Sequence, residues 1–204
     1  MRKSSVREIY LIKIGAISLL ALSFPSLASP QFLPTGGNAF FGYSYVRGET
    51  FVNAGPPPGS GGTANLSGWE ASVEGKYLSW LGAVADLDWH YGGHDAVLCQ
   101  PLGACASFRV NASRDTLLFG PRASTVYRRF RPFADVLFGI AYQSNKGANV
   151  SNSDLTFAAA FGGGVDYTLL PSVWLRGQVH GVRTGFFGRS NFDPRLSGGI
   201  VFRF

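Results

Sequence analysis

One pattern constrains this chain more than any other: a two-residue alternation of apolar and polar side chains that recurs eight times after residue 37. Successive side chains of a β-strand point to opposite faces, so this period marks strands with one apolar and one polar side. The stretches cover 38–47, 67–78, 82–91, 114–123, 132–143, 155–167, 173–183 and 195–204, separated by segments rich in Gly, Pro, Asn and Ser. Such segments are the usual turn formers. In 67–78, Trp69, Ala71, Val73 and Tyr77 oppose Glu70, Ser72, Glu74 and Lys76; in 82–91, Ala83, Ala85, Leu87, Trp89 and Tyr91 oppose Asp86, Asp88 and His90. In 132–143, Val136, Phe138, Ile140 and Tyr142 oppose Asp135, with Phe133 and Leu137 on the minority side.

Two all-β architectures can hide eight apolar faces. A soluble sandwich packs them between two sheets and leaves the polar faces wet. A transmembrane barrel turns them outward to lipid and encloses the polar faces. No segment holds the roughly 18 unbroken apolar residues of a membrane helix. Charged residues make up only 15% of the chain and aromatics 14%, which also excludes disorder.

Two features favour the barrel. Its polar face mixes Ala, Gly and Ser with charges of both signs, as a narrow interior requires, and its apolar face ends in aromatics at both strand ends. Trp69, Trp89, Tyr91 and Tyr142 fall near one end; Tyr77, Trp80, Tyr167, Trp174 and Phe204 fall near the other. Connections alternate between long (48–66, 92–113, 144–154, 184–194) and short (79–81, 124–131, 168–172). The expected fold is therefore an all-β, eight-stranded antiparallel up-and-down transmembrane β-barrel in a bacterial outer membrane, with both termini in the periplasm.

The N-terminus fits that location. Arg2, Lys3, Arg7 and Lys13 precede an apolar core at 14–22, and Ser26 and Ala28 supply the small residues of a cleavage site. Residues 1–28 thus read as a signal peptide and 29–204 as the barrel domain. No cysteine follows the site, so a lipid anchor is not expected. Removing those four basic residues and Glu8 lowers the net charge from +6 to +3, so the basicity gives no reason to expect nucleic-acid binding. In an oxidising compartment Cys99 and Cys105, which enclose five residues, are expected to form a loop disulfide; neither zinc spacing nor a Cys-x-x-Cys redox motif is present.

The segment Leu117-Leu118-Phe119-Gly120-Pro121-Arg122, the segment Pro132-Phe133-Ala134-Asp135-Val136-Leu137-Phe138-Gly139 and the ending Gly199-Ile200-Val201-Phe202-Arg203-Phe204, with the signal peptide and eight amphipathic strands, resemble the OmpA-like family of eight-stranded outer-membrane barrels. The resemblance covers essentially the whole mature chain. It implies that Ile200, Phe202 and Phe204 form the C-terminal signal read by the barrel-assembly machinery. The chain ends where the barrel ends, so the peptidoglycan-binding domain of some relatives is not expected.

The polar faces collect Glu70, Glu74, Lys76, Asp86, Asp88, Arg122, Asp135, Asp166, Arg176, His180, Arg195 and Arg203. Eight strands leave an interior only wide enough for side chains, so these charges are expected to pair into a network that closes the lumen, with a narrow pore as the alternative. Catalysis is not expected, since no local His-x-Ser pairing occurs, although His90 with Asp88 and Asp86, or His180 with Asp166, could meet. No cofactor or metal site is expected. Gly162-Gly163-Gly164 is expected to mark close packing or curvature within a strand. Arg128, Arg129 and Arg131 are expected to be a solvated cluster in a periplasmic turn. Arg47, Arg109, Arg114, Arg183 and Arg189 are expected toward the outer side, where they could bind lipopolysaccharide phosphates. The resulting picture is a monomer expected to display ligand-binding loops at 48–66 and 92–113 on a rigid scaffold.

Overall fold

The computed structural model describes residues 36–51, 61–99, 105–147, 150–186 and 190–204. The signal peptide assigned to residues 1–28 lies outside them. Eight antiparallel strands run in chain order: β1 (Gly37–Phe51), β2 (Gly61–Lys76), β3 (Leu81–Cys99), β4 (Cys105–Ser124), β5 (Phe130–Gly147), β6 (Val150–Leu170), β7 (Val173–Thr184) and β8 (Asn191–Arg203). Each pairs with its chain neighbours, and β1 also pairs with β8, so the sheet closes on itself. Closure removes both sheet edges and leaves no ladder unpaired in lipid.

Side chains alternate as the sequence pattern requires. Alternate residues of β7 and β8 are buried and exposed along nearly their whole length. The outward set includes Phe41, Tyr43, Val73, Phe119, Phe138, Ile140, Leu155, Phe157, Phe161, Val179, Leu196 and Ile200, all more than two-fifths exposed. An exposed apolar belt of this extent is the inverse of a soluble surface. Aromatics crowd its rims: Trp69 lies 4.7 Å from Trp89 and 5.9 Å from Phe41 at one end, and Phe130 lies 5.2 Å from Tyr167 at the other. From Trp80 to Tyr91, at about 3.4 Å per residue and a tilt of about 40°, the rims stand about 28 Å apart, close to the height of an outer-membrane apolar band.

Two expectations about the exterior are corrected. The strands span 12 to 21 residues, so much of the long connections is paired ribbon. Pairing persists to Phe51↔Gly61, Cys99↔Cys105 and Gly147↔Val150, because backbone groups still gain partners where neither face needs to be apolar. Trp174, assigned to the terminal girdle, is instead buried inside. It shares its face of β7 with Arg176, Gln178 and His180.

Glycine permits the closing seam. Gly42 of β1 faces Gly199 of β8, and a Cβ at Gly42 would lie 2.4 Å from the Gly198 carbonyl oxygen. The triple glycine of β6 meets the same steric limit against β7 and β5, away from the seam: a Cβ at Gly162 would lie 2.1 Å from Val179 O and one at Gly163 2.3 Å from Phe133 O. Substituting Gly42→Val should force the seam apart and destabilise the barrel by about 1–3 kcal/mol, the usual scale of overpacking. Equilibrium urea unfolding in detergent, followed by tryptophan fluorescence, checks this; an unchanged midpoint would contradict the seam geometry.

Candidate functional site

The lumen is filled by three kinds of side chain. Near the termini, three arginines interlock with three carboxylates. Arg131 reaches Glu74 at 2.6 Å and Asp166 at 3.8 Å, and Arg176 grips Asp166 at 2.6 Å. Arg122 holds Asp135 at 2.6 Å and lies 3.6 Å from Glu74. Asn38 bridges the group, donating to Glu74 Oε2 at 2.8 Å and accepting from Arg176 at 3.3 Å. The ring of Phe133 lies under both Arg122 and Arg176, at 4.2 and 4.7 Å. Aromatic faces of this kind compensate guanidiniums that have lost water.

Midway along the axis, a single guanidinium serves three carboxylates. Arg195 approaches Asp86 at 2.9 Å and Glu70 at 3.7 Å and bonds Asp88 directly. Gln178 and Thr116 donate to Glu70 and Asp88 respectively, while Ser197 donates to Glu70 at 2.5 Å. Toward the loop end, Arg114 meets Asp193 at 2.5 Å and Gln143 at 3.1 Å. Apolar clusters fill the spaces between: Phe40, Trp174 and Val201; Val84, Leu118 and Leu137 with Ala141, Ala158, Ala160, Val182 and Phe186; and Val46, Ala64, Leu66 and Ala112. Leu137 of the second cluster and Phe133 beside the arginines are the two apolar residues that the sequence placed on the minority side of their strand.

Most of the charges assigned to the lumen meet there: Glu70, Glu74, Asp86, Asp88, Arg122, Asp135, Asp166, Arg176, His180 and Arg195 are all buried. Lys76 is half-buried and donates to Ser124 Oγ and Ser79 O, each at 3.3 Å. Arg203 does not join the buried pairs. It lies exposed at the terminal mouth, stacked 4.9 Å from the Trp174 ring.

Strand register corrects three further assignments. Arg131 is no solvated turn residue: β5 begins at Phe130, so Arg131 falls on the inner face with Phe133 and Asp135 and is 3% exposed. Arg114 shares its face of β4 with Thr116 and Arg122 and is buried, which removes it from the group facing lipopolysaccharide. His180 bonds Asp135 at 2.7 Å rather than Asp166, because Arg131 and Arg176 already occupy that carboxylate. Arg47, Arg109 and Arg183 are exposed as expected, and Arg189 lies outside the described residues. Ile200, Phe202 and Phe204 project to the outer surface near the end of the chain.

His90 meets Asp88, a pairing the sequence allowed, and gains a third member that the sequence reading missed, Ser44. His90 Nδ1 lies 3.0 Å from Asp88 Oδ1, and its Nε2 lies 2.9 Å from Ser44 Oγ. This is the order of groups in a serine nucleophile, its base and an orienting acid. Ser44 stands 46 positions before His90, so no local motif could have signalled it. All three residues are buried, at 0 to 1% exposure, beneath the Val46, Ala64, Leu66 and Ala112 cluster. Among the described residues no group of three His, Cys, Asp or Glu side chains is arranged to hold a metal ion.

Removing one partner of a buried pair leaves an uncompensated charge. Replacing Arg131 with Ala should therefore cost about 3–5 kcal/mol, whereas Arg129→Ala, at the exposed turn, should stay within about 0.5 kcal/mol of the parent. Parallel urea titrations of the two variants distinguish the buried from the solvated arginine.

No protein-family model matches the chain, and no curated protein matches it by sequence. Solved structures do match. The attachment invasion locus protein Ail of Yersinia pestis, in complex with the heparin analogue sucrose octasulfate, is 13% identical with a TM-score of 0.56, over 83% of this chain and 98% of that one. Neisserial surface protein A is 11% identical with a TM-score of 0.55, over 82% of this chain and 97% of that one. With its closed order of eight antiparallel strands, the chain has the fold of the OmpA-like eight-stranded outer-membrane β-barrels.

Proposed function

We propose that the protein is an integral outer-membrane barrel whose lumen is occluded and whose role is structural or surface-interactive, neither pore nor enzyme. The observation that carries this reading is the interior: ion pairs and apolar clusters alternate from the terminal mouth to the Arg114–Asp193 pair. The cost of stripping water from an ion in so crowded a lumen opposes passive flow. The termini and short connections face the periplasm in this reading, residues 1–28 are removed as a signal peptide, and the mature chain is a monomer assembled through Ile200, Phe202 and Phe204. The ribbons β1–β2 and β3–β4 reach outward as the surface for partners. Lipopolysaccharide phosphates are the ligand chemistry that suits exposed Arg47, Arg109 and Arg183. In the Ail structure a sulfated sugar supplies comparable anionic groups.

A lipid- or peptide-cleaving enzyme is the second reading, favoured by the Ser44–His90–Asp88 geometry. Burial weighs against it, because a nucleophile must reach its substrate. The opposition of Cys99 and Cys105 across β3 and β4 supports the disulfide: antiparallel partners lie about 4.5–5.5 Å apart at Cα, within the range a disulfide spans. Their side chains lie outside the described residues.

Protein folded in detergent should migrate as a fast band that slows on boiling and should show no steady conductance in a planar bilayer. Sustained channel currents would overturn the occluded lumen. A fluorophosphonate probe should leave Ser44 unlabelled, whereas labelling lost in S44A would establish the hydrolase. Alkylation of the unfolded chain should detect free thiols only after reduction.

A further inference from the structure

The triad-like group belongs to a longer chain of hydrogen bonds. Ser44 Oγ lies 2.9 Å from Ser197 Oγ, and Ser197 Oγ lies 2.5 Å from Glu70 Oε2. The chain Asp88···His90···Ser44···Ser197···Glu70 therefore links β3, β1, β8 and β2. It crosses the closing seam at Ser44↔Ser197, which are register partners, and every member is buried.

Counting hydrogens decides its protonation. The chain has four links, and each needs one hydrogen between its two heavy atoms. A hydroxyl has one hydrogen to donate, a neutral imidazole one, and a carboxylate none. Ser44, Ser197 and neutral His90 together supply three. With His90 Nδ1–H given to Asp88, Ser44 must donate either to His90 Nε2 or to Ser197, and Ser197 donates to Glu70. One link then brings two lone pairs face to face. A fourth hydrogen resolves the conflict as an imidazolium on His90, with all hydroxyls donating toward Glu70, or as a protonated Glu70, with all hydroxyls donating toward His90; a proton on Asp88 would also complete the count, but that carboxylate already accepts from Thr116 and Arg195.

The surrounding charge points the same way. Glu70 on β2 and Asp86 and Asp88 on β3 share Arg195 of β8, and Asp86 Oδ2 receives no donor. His180 of β7 adds no cation to this group. Its Nδ1 faces the Arg195 guanidinium at 3.5 Å and so accepts, while its Nε2–H is given to Asp135 of β5. Thr116 of β4 donates to Asp88, and Arg114 of β4, the register partner of His90, is engaged by Asp193 and Gln143. Among the described residues the buried set holds seven carboxylates against five guanidiniums, so an added proton reduces the excess of negative charge in the lumen.

We propose that the lumen binds one excess proton on a relay from Glu70 through Ser197 and Ser44 to His90, and that this proton passes between the two ends. In the transfer the Glu70 O–H bond breaks as its proton goes to Ser197 Oγ. Ser197 passes its own hydrogen to Ser44 Oγ, and Ser44 passes its own to His90 Nε2, where the new N–H bond forms. No hydrogen is gained or lost. An imidazolium cannot serve as the base of a serine nucleophile, so one of the two proton positions is incompatible with the triad arrangement acting in catalysis.

The test uses the whole folded protein in detergent, with histidine imidazoles labelled with nitrogen-15 and glutamate carboxyls labelled with carbon-13, at about pH 8, well above the ordinary histidine value of about 6.5. The expected result is either two protonated nitrogens on His90 or a protonated carboxyl on Glu70. Ser197→Ala alters no charge and touches neither Asp88 nor His90, yet it should abolish the extra proton by letting Ser44 donate freely to a neutral His90. Ser44→Ala should do the same by breaking the adjacent link. A wild-type spectrum with singly protonated His90 and ionised Glu70 overturns the proposal. So does a folded S197A protein that retains the wild-type proton.

Discussion

Closing an eight-stranded sheet encloses a space no wider than the side chains that line it, and every inward polar group must find its partners within that space. The rest of this structure follows from that confinement. Water is too scarce inside to hydrate a dozen charges, so guanidiniums and carboxylates interlock, amides and hydroxyls take up the remaining lone pairs, and rings such as Phe133 lie against the cations. The glycines of the seam and of β6 are the steric counterpart, sparing room where strands approach too closely for a Cβ. A buried ion pair brings little net stability against an apolar filling of equal volume. Once built, however, it penalises any register that separates the partners. The network therefore acts on specificity: a slip of one residue in any strand would send its charges into lipid.

The exterior obeys the opposite rule. Outward residues have no packing partners within the protein, and the aromatic rims set the depth at which the belt ends. Nothing outside the barrel depends on the interior pairs. The loop-end ribbons can vary in length and sequence without disturbing the interior pairs. Enclosure also bears on the serine–histidine–aspartate arrangement, whose three members are all buried. The same three groups that would activate a nucleophile at an open rim become, when enclosed, links in a hydrogen-bond chain whose protonation is set by donor counting.

Much of the barrel was legible because a period of two is a local property. Glu70, Glu74, Asp86 and Asp88 sat in clean alternation, so their inward facing could be read without knowing any partner. Errors arose where alternation had to be extended past a turn or a supposed rim. Arg131 was hidden in a run of arginines whose first two do form the turn. Arg114 lay at the boundary of a stretch, and Trp174 looked like a girdle aromatic although its parity matched Arg176. Arg203 had the correct parity but lies exposed at the terminal mouth, past the last of the buried pairs. In each case the side chain's face or height depended on where the strand began, which hydrogen bonding to neighbouring strands determines.

By itself the sequence determined the eight strands, their inward and outward faces and the sign of each enclosed charge, because these rest on side-chain type and on the twofold pleat of an extended backbone. Only the tertiary structure decided who meets whom. His180 finds Asp135 and not Asp166, Arg114 finds Asp193, and Ser44 is brought between His90 and Ser197 across 46 and 153 positions of chain. Those partners are set by the stagger of eight strands around a closed ring. That stagger is a property of the whole sheet and leaves no trace in the local spacing of residues.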